Sequence, residues 1–552
     1  MRRINTVENK QVMTKIGQMA KTYGFNKTLK AIVSIEYQKA VEKNEIVIDS
    51  KLYESSTDGA SILNADDRNI ISDYLSEKSN DETIEFICDC AAMGGIYFEN
   101  TPIELNNLVF DLLDIHSGDV VCDFGSGNGS FLANVILKAK ETENKVEISG
   151  TEINSELADI SRILLALLGV DSKNIKNDDI LDTKLSGYSK GFTFPPFAIK
   201  MLPGSEYRTS RMCPSITFSN RNNDEWIFID QMLYGLKKGG KAVAFVLGSA
   251  LFNAQDQQYR DFLLKKGIIE SIIELPSNLL PYTGIKIYAI VFSSGNDCVK
   301  LVNAQECFVT NSKKKNALDT NKVLELLNSD NAAKKTNKEL IGCENLSPSI
   351  LLLEVKTPYN PKKLGNVSEI IPGCQYTVSH FEELLTDDKD GTRLLTPNDI
   401  QNGMIDWDSL RRIGSSDKKM DKFVLKKGDI AITTKSSKVK TAVVDIDSDK
   451  KILAVGGILI IRPDLNKINP TYLKIYLDSQ DGQCALKQIQ KGIVILTISP
   501  KRLANLLVPV PDINIQNSKA DKYNELLTTL HAYSNEMKKI DRKISEFSLE
   551  EE

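Results

Sequence analysis

Hydrophobic residues in the first 90 positions recur every three or four residues, as they do on one face of a helix. Between about 107 and 295 the pattern changes to short apolar runs rich in β-branched residues, with helical stretches between them. These runs lie at 119–124, 146–153, 241–247, 269–276 and 286–294. Strands that alternate with helices predict an α/β fold with a parallel, doubly wound, Rossmann-like sheet, behind an N-terminal helical domain.

The second half of the chain has a different pattern of apolar and polar residues. A polar segment at 310–322 leads into a helix, and from about 364 short strands and turns predict an α+β domain. The chain closes with a predicted helix at 516–549 whose apolar residues follow a seven-residue repeat. This seam consists of Tyr523, Leu526, Leu530, Tyr533, Met537, Ile540, Ile544 and Phe547. The repeat predicts a coiled coil with another helix, and the alternative is an amphipathic helix that lies on its own domain.

The composition, 41% hydrophobic and 26% charged residues in a chain of 552, is that of a globular protein with several domains. The sequence lacks both an apolar run long enough to span a membrane and the apolar core of a secretory signal. Nine scattered cysteines and three histidines favour buried thiols over a metal site. Because the net charge is −5, a nucleic acid would have to bind where positive charge is concentrated, as at 421–440, which holds six lysines and two aspartates.

The stretch "VVCDFGSGNGSFL" at 120–132 is the first candidate binding site. A strand ends at Asp123, glycines follow at Gly125, Gly127 and Gly129, and a helix begins after them. Glycines let the backbone turn sharply and approach a ligand, and a helix N-terminus offers free amides. A dinucleotide or a different nucleotide-like cofactor would fit such a loop.

Two acidic residues narrow the choice of cofactor. Glu152 ends the next predicted strand, where its carboxylate can accept hydrogen bonds from the two hydroxyls of a ribose. Asp179, or its neighbour Asp178, ends the third strand, where it can accept a hydrogen bond from an adenine amino group. In this order and spacing the set predicts an S-adenosylmethionine site, in preference to a dinucleotide site or to purely structural acids.

Three longer stretches carry a family resemblance. Residues 94–113, which include Tyr97, Phe98, Thr101 and Pro102, together with 224–252 and 272–292, resemble the modification subunit of type I restriction–modification systems, a DNA adenine-N6 methyltransferase. Lys286 departs from the pattern, because the family usually has proline there. The resemblance implies an S-adenosylmethionine-dependent methyltransferase core and adds Tyr97 and Thr101 to the cofactor site.

The resemblance also assigns the target-base motif to Phe194, Pro195, Pro196 and Phe197. In the family an asparagine and the following carbonyl accept hydrogen bonds from the adenine amino group, and the final aromatic ring stacks on the flipped base. Phe194 supplies no acceptor, whereas the carbonyl of Pro195 and the ring of Phe197 are retained. Thr193 would replace the acceptor if the loop shifted by one residue. The sequence therefore leaves open whether methyl transfer is retained or lost.

The C-terminal part carries a second resemblance. Residues 364–376, 394–408, 423–437 and 491–523 are similar, in order and spacing, to one half of a type I specificity subunit, which has a target-recognition domain and a long helix. The resemblance implies contacts with DNA phosphates and base edges. The candidates are Lys435, Ser436, Ser437, Lys438, Lys440, Lys487, Gln488, Gln490 and Lys491, each of which is equally well explained as a solvated surface residue.

Together these features predict a fused modification and specificity protein. Its expected parts are a helical domain at 1–90, a methyltransferase core at 91–300, a connection at 301–363, a target-recognition domain at 364–515 and a coiled-coil helix at 516–552. The expected partners are double-stranded DNA, a second copy or a related chain bound through the last helix, and in some systems a restriction subunit. The expected location is the cytoplasm of a bacterium or archaeon, at the nucleoid. The rival interpretation is a non-catalytic DNA-recognition subunit that works with an intact methyltransferase; an RNA or protein methyltransferase is disfavoured.

Overall fold

The computed structural model describes most of the chain in several stretches. The described residues are 7–93, 101–183, 185–196, 207–219, 221–280, 283–310, 316–330, 332–352, 359, 361–376, 378–388, 390–401, 403–405, 407, 410–414, 418–435, 439–445, 451–490 and 497–547. The chain divides into two compact units, 1–352 and 353–552. No helix in the described part is long and apolar enough to cross a membrane. The finer boundaries given above remain predictions.

The first unit begins with five helices, in the region where helical spacing was predicted. They are α1 (Val7–Tyr23), α2 (Phe25–Glu42), α3 (Ser50–Ala60), α4 (Ala65–Ser76) and α5 (Asn80–Met93). Side chains cap α3 and α4, because Asp49 accepts hydrogen bonds from the first amides of α3 and Asn64 accepts one from α4. Lys30 of α2 pairs with Asp159 across 3.3 Å, which ties the helical layer to the rest of the unit.

The rest of the first unit alternates strands and helices. The strands are β1 (Val120–Phe124), β2 (Glu147–Glu152), β3 (Ile175–Asn177), β4 (Tyr188–Thr193), β5 (Tyr207–Thr209), β6 (Thr217–Ser219), β7 (Leu236–Leu247), β8 (Ile269–Glu274), β9 (Ile287–Phe292), β10 (Cys298–Asn303), β11 (Phe308–Thr310), β12 (Asn316–Leu318) and β13 (Lys334–Thr336). The helices are α6 (Ile103–Leu113), α7 (Ser130–Glu141), α8 (Ser155–Ala166), α9 (Glu225–Gly235), α10 (Gly248–Phe252), α11 (Gln257–Lys265), α12 (Thr320–Asn328), α13 (Asn337–Leu340) and α14 (Pro348–Leu351).

Nine of these strands form one sheet in the order β13-β10-β8-β9-β7-β4-β1-β2-β3. The pairs from β7 through β4, β1 and β2 to β3 are parallel, whereas β9 runs antiparallel to both of its neighbours. The predicted α/β fold is confirmed, and its sheet is mostly parallel, with antiparallel pairs at β9 and β13. Because the parallel strands end at the same edge, the loops after β1, β2, β3 and β4 lie side by side. The segment expected to be a connection from residue 301 instead adds β10 and β13 to this sheet.

Alternate residues of β7 face opposite sides of the sheet, as the two-residue period of a strand requires. Val243 and Phe245 join the core that contains the N-terminal helices, while Ala244 and Val246 pack with Trp226 on the other side. Both faces are therefore covered, which is why the central strands read as continuous apolar runs.

The second unit consists of small sheets and short helices before one long helix. The strands are β14 (Pro361–Lys363), β15 (Ser368–Pro372), β16 (Thr392–Leu395), β17 (Ile400–Gln401), β18 (Met404–Ile405), β19 (Arg412–Ile413), β20 (Ile430–Thr433), β21 (Thr441–Val443), β22 (Ile452–Ala454), β23 (Ile458–Pro463) and β24 (Leu507–Pro509). The helices are α15 (Val378–Glu383), α16 (Pro470–Asp478), α17 (Gln480–Ile489), α18 (Pro500–Ala504) and α19 (Ile513–Phe547). The largest sheet has the order β15-β23-β20-β21, and a second has the order β19-β16-β22.

The long helix α19 matches the predicted one to within three residues at each end. Its beginning packs on its own unit, because the hydroxyl of Tyr523 accepts a hydrogen bond of 2.9 Å from Lys474, which also pairs with Asp478. Farther along, the seam is exposed to solvent from Leu526, which is 70% exposed, to Ile544, which is 64% exposed. The coiled coil remains a prediction, and the alternative of a helix lying on its own unit describes only the first turns.

We expect Lys474→Ala to destabilise the second unit by about 3 kcal/mol, because it leaves the Asp478 carboxylate without its buried cation. Lys467→Ala is the matched control: its ion pair with Asp464 is 2.9 Å long but exposed, so its loss should change stability by less than about 1 kcal/mol. Urea unfolding of both variants measures the difference. Equal effects of the two substitutions would show that the buried network does not hold α19.

Candidate functional site

The glycine loop after β1 folds back on the neighbouring strand. The amides of Gly125 and Ser126 both donate to the carbonyl of Thr151 on β2, at 3.1 and 2.9 Å. Gly125, Gly127 and Gly129 all have positive φ, at 96°, 53° and 83°, which side-chain-bearing residues rarely adopt. At Gly129 an added Cβ would also lie 3.1 Å from the Cα of Ser161 on α8. The predicted glycines are thus required by the turn and by close packing.

The carboxylate of Glu152 lies against this loop. Its Oε2 accepts from the amide of Gly127 at 2.9 Å, and its Oε1 accepts from the amide of Asn154 at 2.8 Å. The side chain is nearly buried. These two bonds fix the direction of a carboxylate beside the turn, in the place where the sequence predicted it.

Asp123, at the end of β1, is only 3% exposed. Its Oδ1 atom and the Oγ atom of Ser126 are buried and have no hydrogen-bond partner among the residues that the structure describes. Burial raises the pKa of the Asp123 carboxyl well above its usual range, and the nearby charge of Glu152 raises that pKa further. Buried polar atoms without partners are costly, so their occurrence together beside a glycine loop indicates a site for a polar or cationic ligand.

The loop after β3 carries the other predicted acids. The side chain of Asp178 is bound within the loop, since it accepts from the amide of Asp179 at 2.9 Å and from the hydroxyl of Thr183 at 2.8 Å. Asp179 is partly exposed, and its Oδ1 accepts from the amide of Leu181 at 2.8 Å. Both oxygens of Asp178 accept hydrogen bonds within the loop, whereas among the described residues only Oδ1 of Asp179 does, so Asp179 is the better candidate to bind a ligand.

The Pro-Pro motif follows β4, between the ends of β1 and β7. Phe194 is half-buried and packs in a T-shaped arrangement on Phe245, with ring centres 5.1 Å apart. Pro195 is buried and Pro196 is exposed. Thr193 is fully buried and donates its hydroxyl hydrogen to the carbonyl of Phe124 at 2.8 Å, so it would replace the missing acceptor only if the strand end moved.

The predicted DNA contacts lie around β20, β21 and α17 in the second unit. Lys435 and Lys487 are exposed, Lys440 is half-buried and Gln490 is buried. Lys435 forms a strand bridge with Thr497, and Gln483 of α17 donates to the carbonyl of Val439 at 3.1 Å. The structure thus brings the lysine-rich stretch close to α17.

The remaining predicted site residues are described only in part or lie outside the described residues. Thr101 is half-buried just before α6, and Gln488 lies in α17 with an undescribed side chain. Tyr97, Phe197, Ser436, Ser437, Lys438 and Lys491 lie outside the described residues. Their assigned roles remain predictions from the family resemblance.

Residues 84–357 match the protein family described as N-6 DNA methylase. This part of the chain belongs to that family. Two curated relatives are the methylase subunit of the type I restriction enzyme MpnII from Mycoplasma pneumoniae and the specificity subunit of EcoBI from Escherichia coli. The first is 25% identical over 265 residues, covering 44% of this chain and 48% of the relative. The second is 29% identical over 154 residues, covering 28% and 31%.

The chain thus spans about half the length of the methylase relative and less of the specificity relative. Among solved structures, the type IIG restriction endonuclease BpuSI is similar over 94% of this chain and 75% of its own, with 14% identity and a TM-score of 0.49. A type I methyltransferase subunit from Streptococcus thermophilus is similar over 52% of this chain and 65% of its own, with 20% identity and a TM-score of 0.44. The resemblance to the methylase family is confirmed, and the resemblance to specificity subunits rests on the shorter match.

The sequence did not single out every residue at the edge of the methylase-family sheet. Ile153 follows Glu152 directly and is 69% exposed, so an apolar surface lies next to the carboxylate that is predicted to bind the ribose hydroxyls. Arg208 and Arg211, on the β5–β6 hairpin, contact the loop that carries Asp179. Neither feature has a pattern of its own in the sequence, because each depends on distant segments meeting. In the described part of the chain, no group of three or more His, Cys, Asp or Glu side chains is arranged to hold a metal ion.

We expect Gly129→Ala in the methylase-family region to lower stability by about 2–4 kcal/mol, because it combines positive φ with overpacking against Ser161. Gly118→Ala is the matched control, since Gly118 has φ of 90° but an added Cβ there meets nothing within 4 Å. The control should lose only about 1 kcal/mol. Comparable urea midpoints for the two variants would argue against close packing of the loop on α8.

Proposed function

We propose that the chain is a DNA-binding member of the adenine-N6 methyltransferase family that binds S-adenosylmethionine and works in a type I restriction–modification or related defence system. The observation that carries the proposal is the buried Oδ1 of Asp123 beside the glycine loop, which has no hydrogen-bond partner among the described residues and lies within the N-6 DNA methylase region. Bacterial relatives support a place in the cytoplasm of a bacterium or archaeon, near its DNA.

The residues at the sheet edge fit this cofactor. Asp123 would bind its ammonium group, Glu152 the ribose hydroxyls and Asp179 the adenine amino group, while Ile153 offers an apolar surface to the adenine ring. Tyr97 and Thr101 would complete the site, as the family resemblance implies. When bound, the cofactor supplies a methyl group on a positively charged sulfur, and this chain holds the cofactor and the nucleophile in place.

DNA would bind to the second unit through locally concentrated positive charge. Lys435 and Lys487 are exposed there and Lys440 is half-buried, and the exposed seam of α19 offers a surface for a related helix. A protein with one recognition domain reads one half-site, so pairing through α19 would let two chains read a two-part sequence.

The efficiency of methyl transfer depends on the side chain at position 194, which is Phe194. Adenine would be flipped against Phe197, with the Pro195 carbonyl as one acceptor, but the second acceptor is missing. The second candidate function, a recognition subunit that depends on an intact methyltransferase partner, is favoured by one observation: Phe194 packs on Phe245 in the core instead of presenting a polar group. We therefore expect methyl transfer by the native chain to be weak.

Cofactor affinity should increase with pH. In the free protein the raised pKa keeps the Asp123 carboxyl protonated over a wider pH range, and an ammonium group binds the deprotonated form. Binding should therefore release a proton, and affinity should fall as pH drops through the raised pKa. Calorimetric titrations with S-adenosylmethionine between about pH 5 and pH 8, in buffers of different ionisation enthalpy, measure both effects. The Asp123→Asn variant should bind weakly and without this pH dependence; an unchanged pH profile in that variant would remove Asp123 from the site.

Methyl transfer should increase when an acceptor is restored. We expect Phe194→Asn to raise transfer from radiolabelled S-adenosylmethionine to unmethylated genomic DNA by about 10- to 100-fold, since an unpaired amino group costs about 1–3 kcal/mol. Phe194→Leu, which keeps the apolar packing but adds no acceptor, should not increase it. Efficient transfer by the native chain would show that the Phe-Pro-Pro-Phe loop presents adenine without this acceptor. If neither the native chain nor either variant transfers methyl while all three still bind the cofactor, the recognition-subunit function is favoured.

A further inference from the structure

Two arginines on the β5–β6 hairpin reach the loop that follows β3. Nη1 of Arg208 donates to the carbonyl of Leu181 at 3.2 Å, and Nη2 of Arg211 donates to the same carbonyl at 3.4 Å. Arg211 also donates to the carbonyl of Thr183 at 3.5 Å. Because two guanidinium groups converge on one carbonyl, the backbone of this loop is held from outside the loop itself.

Leu181 links these arginines to the predicted adenine acceptor. Its carbonyl accepts from both guanidinium groups, while its amide donates to Oδ1 of Asp179 at 2.8 Å. The amide and the carbonyl of Leu181 belong to two rigid peptide planes that meet at its Cα, so a carbonyl held by two guanidinium groups limits the positions open to the amide, although φ and ψ can still rotate. The arginines therefore act on the orientation of the Asp179 carboxylate through the backbone, without touching it.

The hairpin is itself fixed to the core by a buried carboxylate. Asp230 of α9 is 1% exposed and accepts from the hydroxyl of Ser210, from the amide of Arg211 at 2.7 Å and from the hydroxyl of Tyr259 at 2.9 Å. These bonds join the hairpin to α9 and α11 beneath it. By contrast, the ion pair of Arg208 with Asp182 involves a carboxylate that is 75% exposed, so it contributes little to the position of the hairpin.

We propose that Arg208 and Arg211 are positioning residues for the adenine end of the cofactor site, where they hold the loop so that the Asp179 carboxylate faces the adenine amino group. The inference rests on the proposed S-adenosylmethionine site and goes beyond it. It assigns the recognition of the 6-amino group to a loop whose geometry depends on a distant hairpin.

The test compares two ligands that differ at a single group of the base. S-adenosylhomocysteine has the 6-amino group, whereas its 6-deamino analogue, with a purine base that carries hydrogen at C6, has no N–H on that edge for Asp179 to accept. We expect Arg211→Gln, alone and with Arg208→Gln, to weaken binding of S-adenosylhomocysteine by about 3- to 10-fold, the effect of one misplaced hydrogen bond. Binding of the 6-deamino analogue should change by less than about 2-fold. Isothermal calorimetry on the full chain measures both affinities.

Two further variants separate positioning from general damage. Arg221→Gln is the matched control, because Arg221 lies just after the hairpin with an exposed side chain, and it should leave both affinities unchanged. Arg211→Lys keeps one donor for the Leu181 carbonyl and should recover part of the affinity lost in Arg211→Gln. The melting temperature of each variant reports whether the fold is intact.

The outcomes distinguish the inference from the function on which it rests. Selective loss of affinity for the adenine ligand supports it. Equal loss for both ligands would mean that the arginines only maintain the fold, and no loss would mean that the loop holds itself; either result overturns the inference and leaves the cofactor site standing. Failure of the native chain to bind S-adenosylhomocysteine would overturn the proposed cofactor site as well.

Discussion

The carboxylate of Asp123 lies buried at the end of β1, next to that of Glu152 and with one oxygen that no described residue contacts by a hydrogen bond. Two neighbouring carboxylates in a poorly solvated place disfavour each other's charge, and a cationic group bound at Asp123 would relieve this repulsion. The positive φ angles of the glycines and the two amide bonds to Glu152 hold the loop in this shape. The Asp179 loop follows β3, which pairs with β2 on the side away from β1, so this loop ends at the same edge of the sheet.

Parallel register makes this arrangement possible. β1 lies between β2 and β4, so the glycine loop, Glu152 and the Pro-Pro motif end at one edge of the sheet although as many as 70 residues separate them. At that edge, packing and the proposed methyl transfer require different side chains at the position of Phe194. Its ring adds to a core with Phe245, while the amino group of a target base would need a polar acceptor at the same position. Packing and chemistry therefore compete for one side chain.

In the second unit, the two parts of the long helix α19 have different surroundings. The first turns of α19 are held by the hydroxyl of Tyr523 on Lys474, and the later turns expose a continuous apolar seam. A helix that is anchored at one end and apolar along an exposed face is suited to presenting that face to a partner. Two of the predicted DNA-contact lysines, Lys435 and Lys487, lie elsewhere in this unit, near the ends of β20 and α17, and are exposed.

The sequence by itself determined the fold class, the helical beginning, the long final helix and the order of the sheet-edge residues. Hydrophobic period and glycine spacing are local properties, so they can be read without the fold. The tertiary structure decided what depends on how segments meet: the bonding of both Asp178 oxygens within its own loop, the packing of Phe194 on Phe245, the loss of Tyr523 from the exposed seam and the reach of Arg208 and Arg211 to Leu181. Each of these is set by a hydrogen bond or a packing contact in the folded chain. The separation of the contacting residues along the chain follows no period, so the sequence pattern does not indicate the contact.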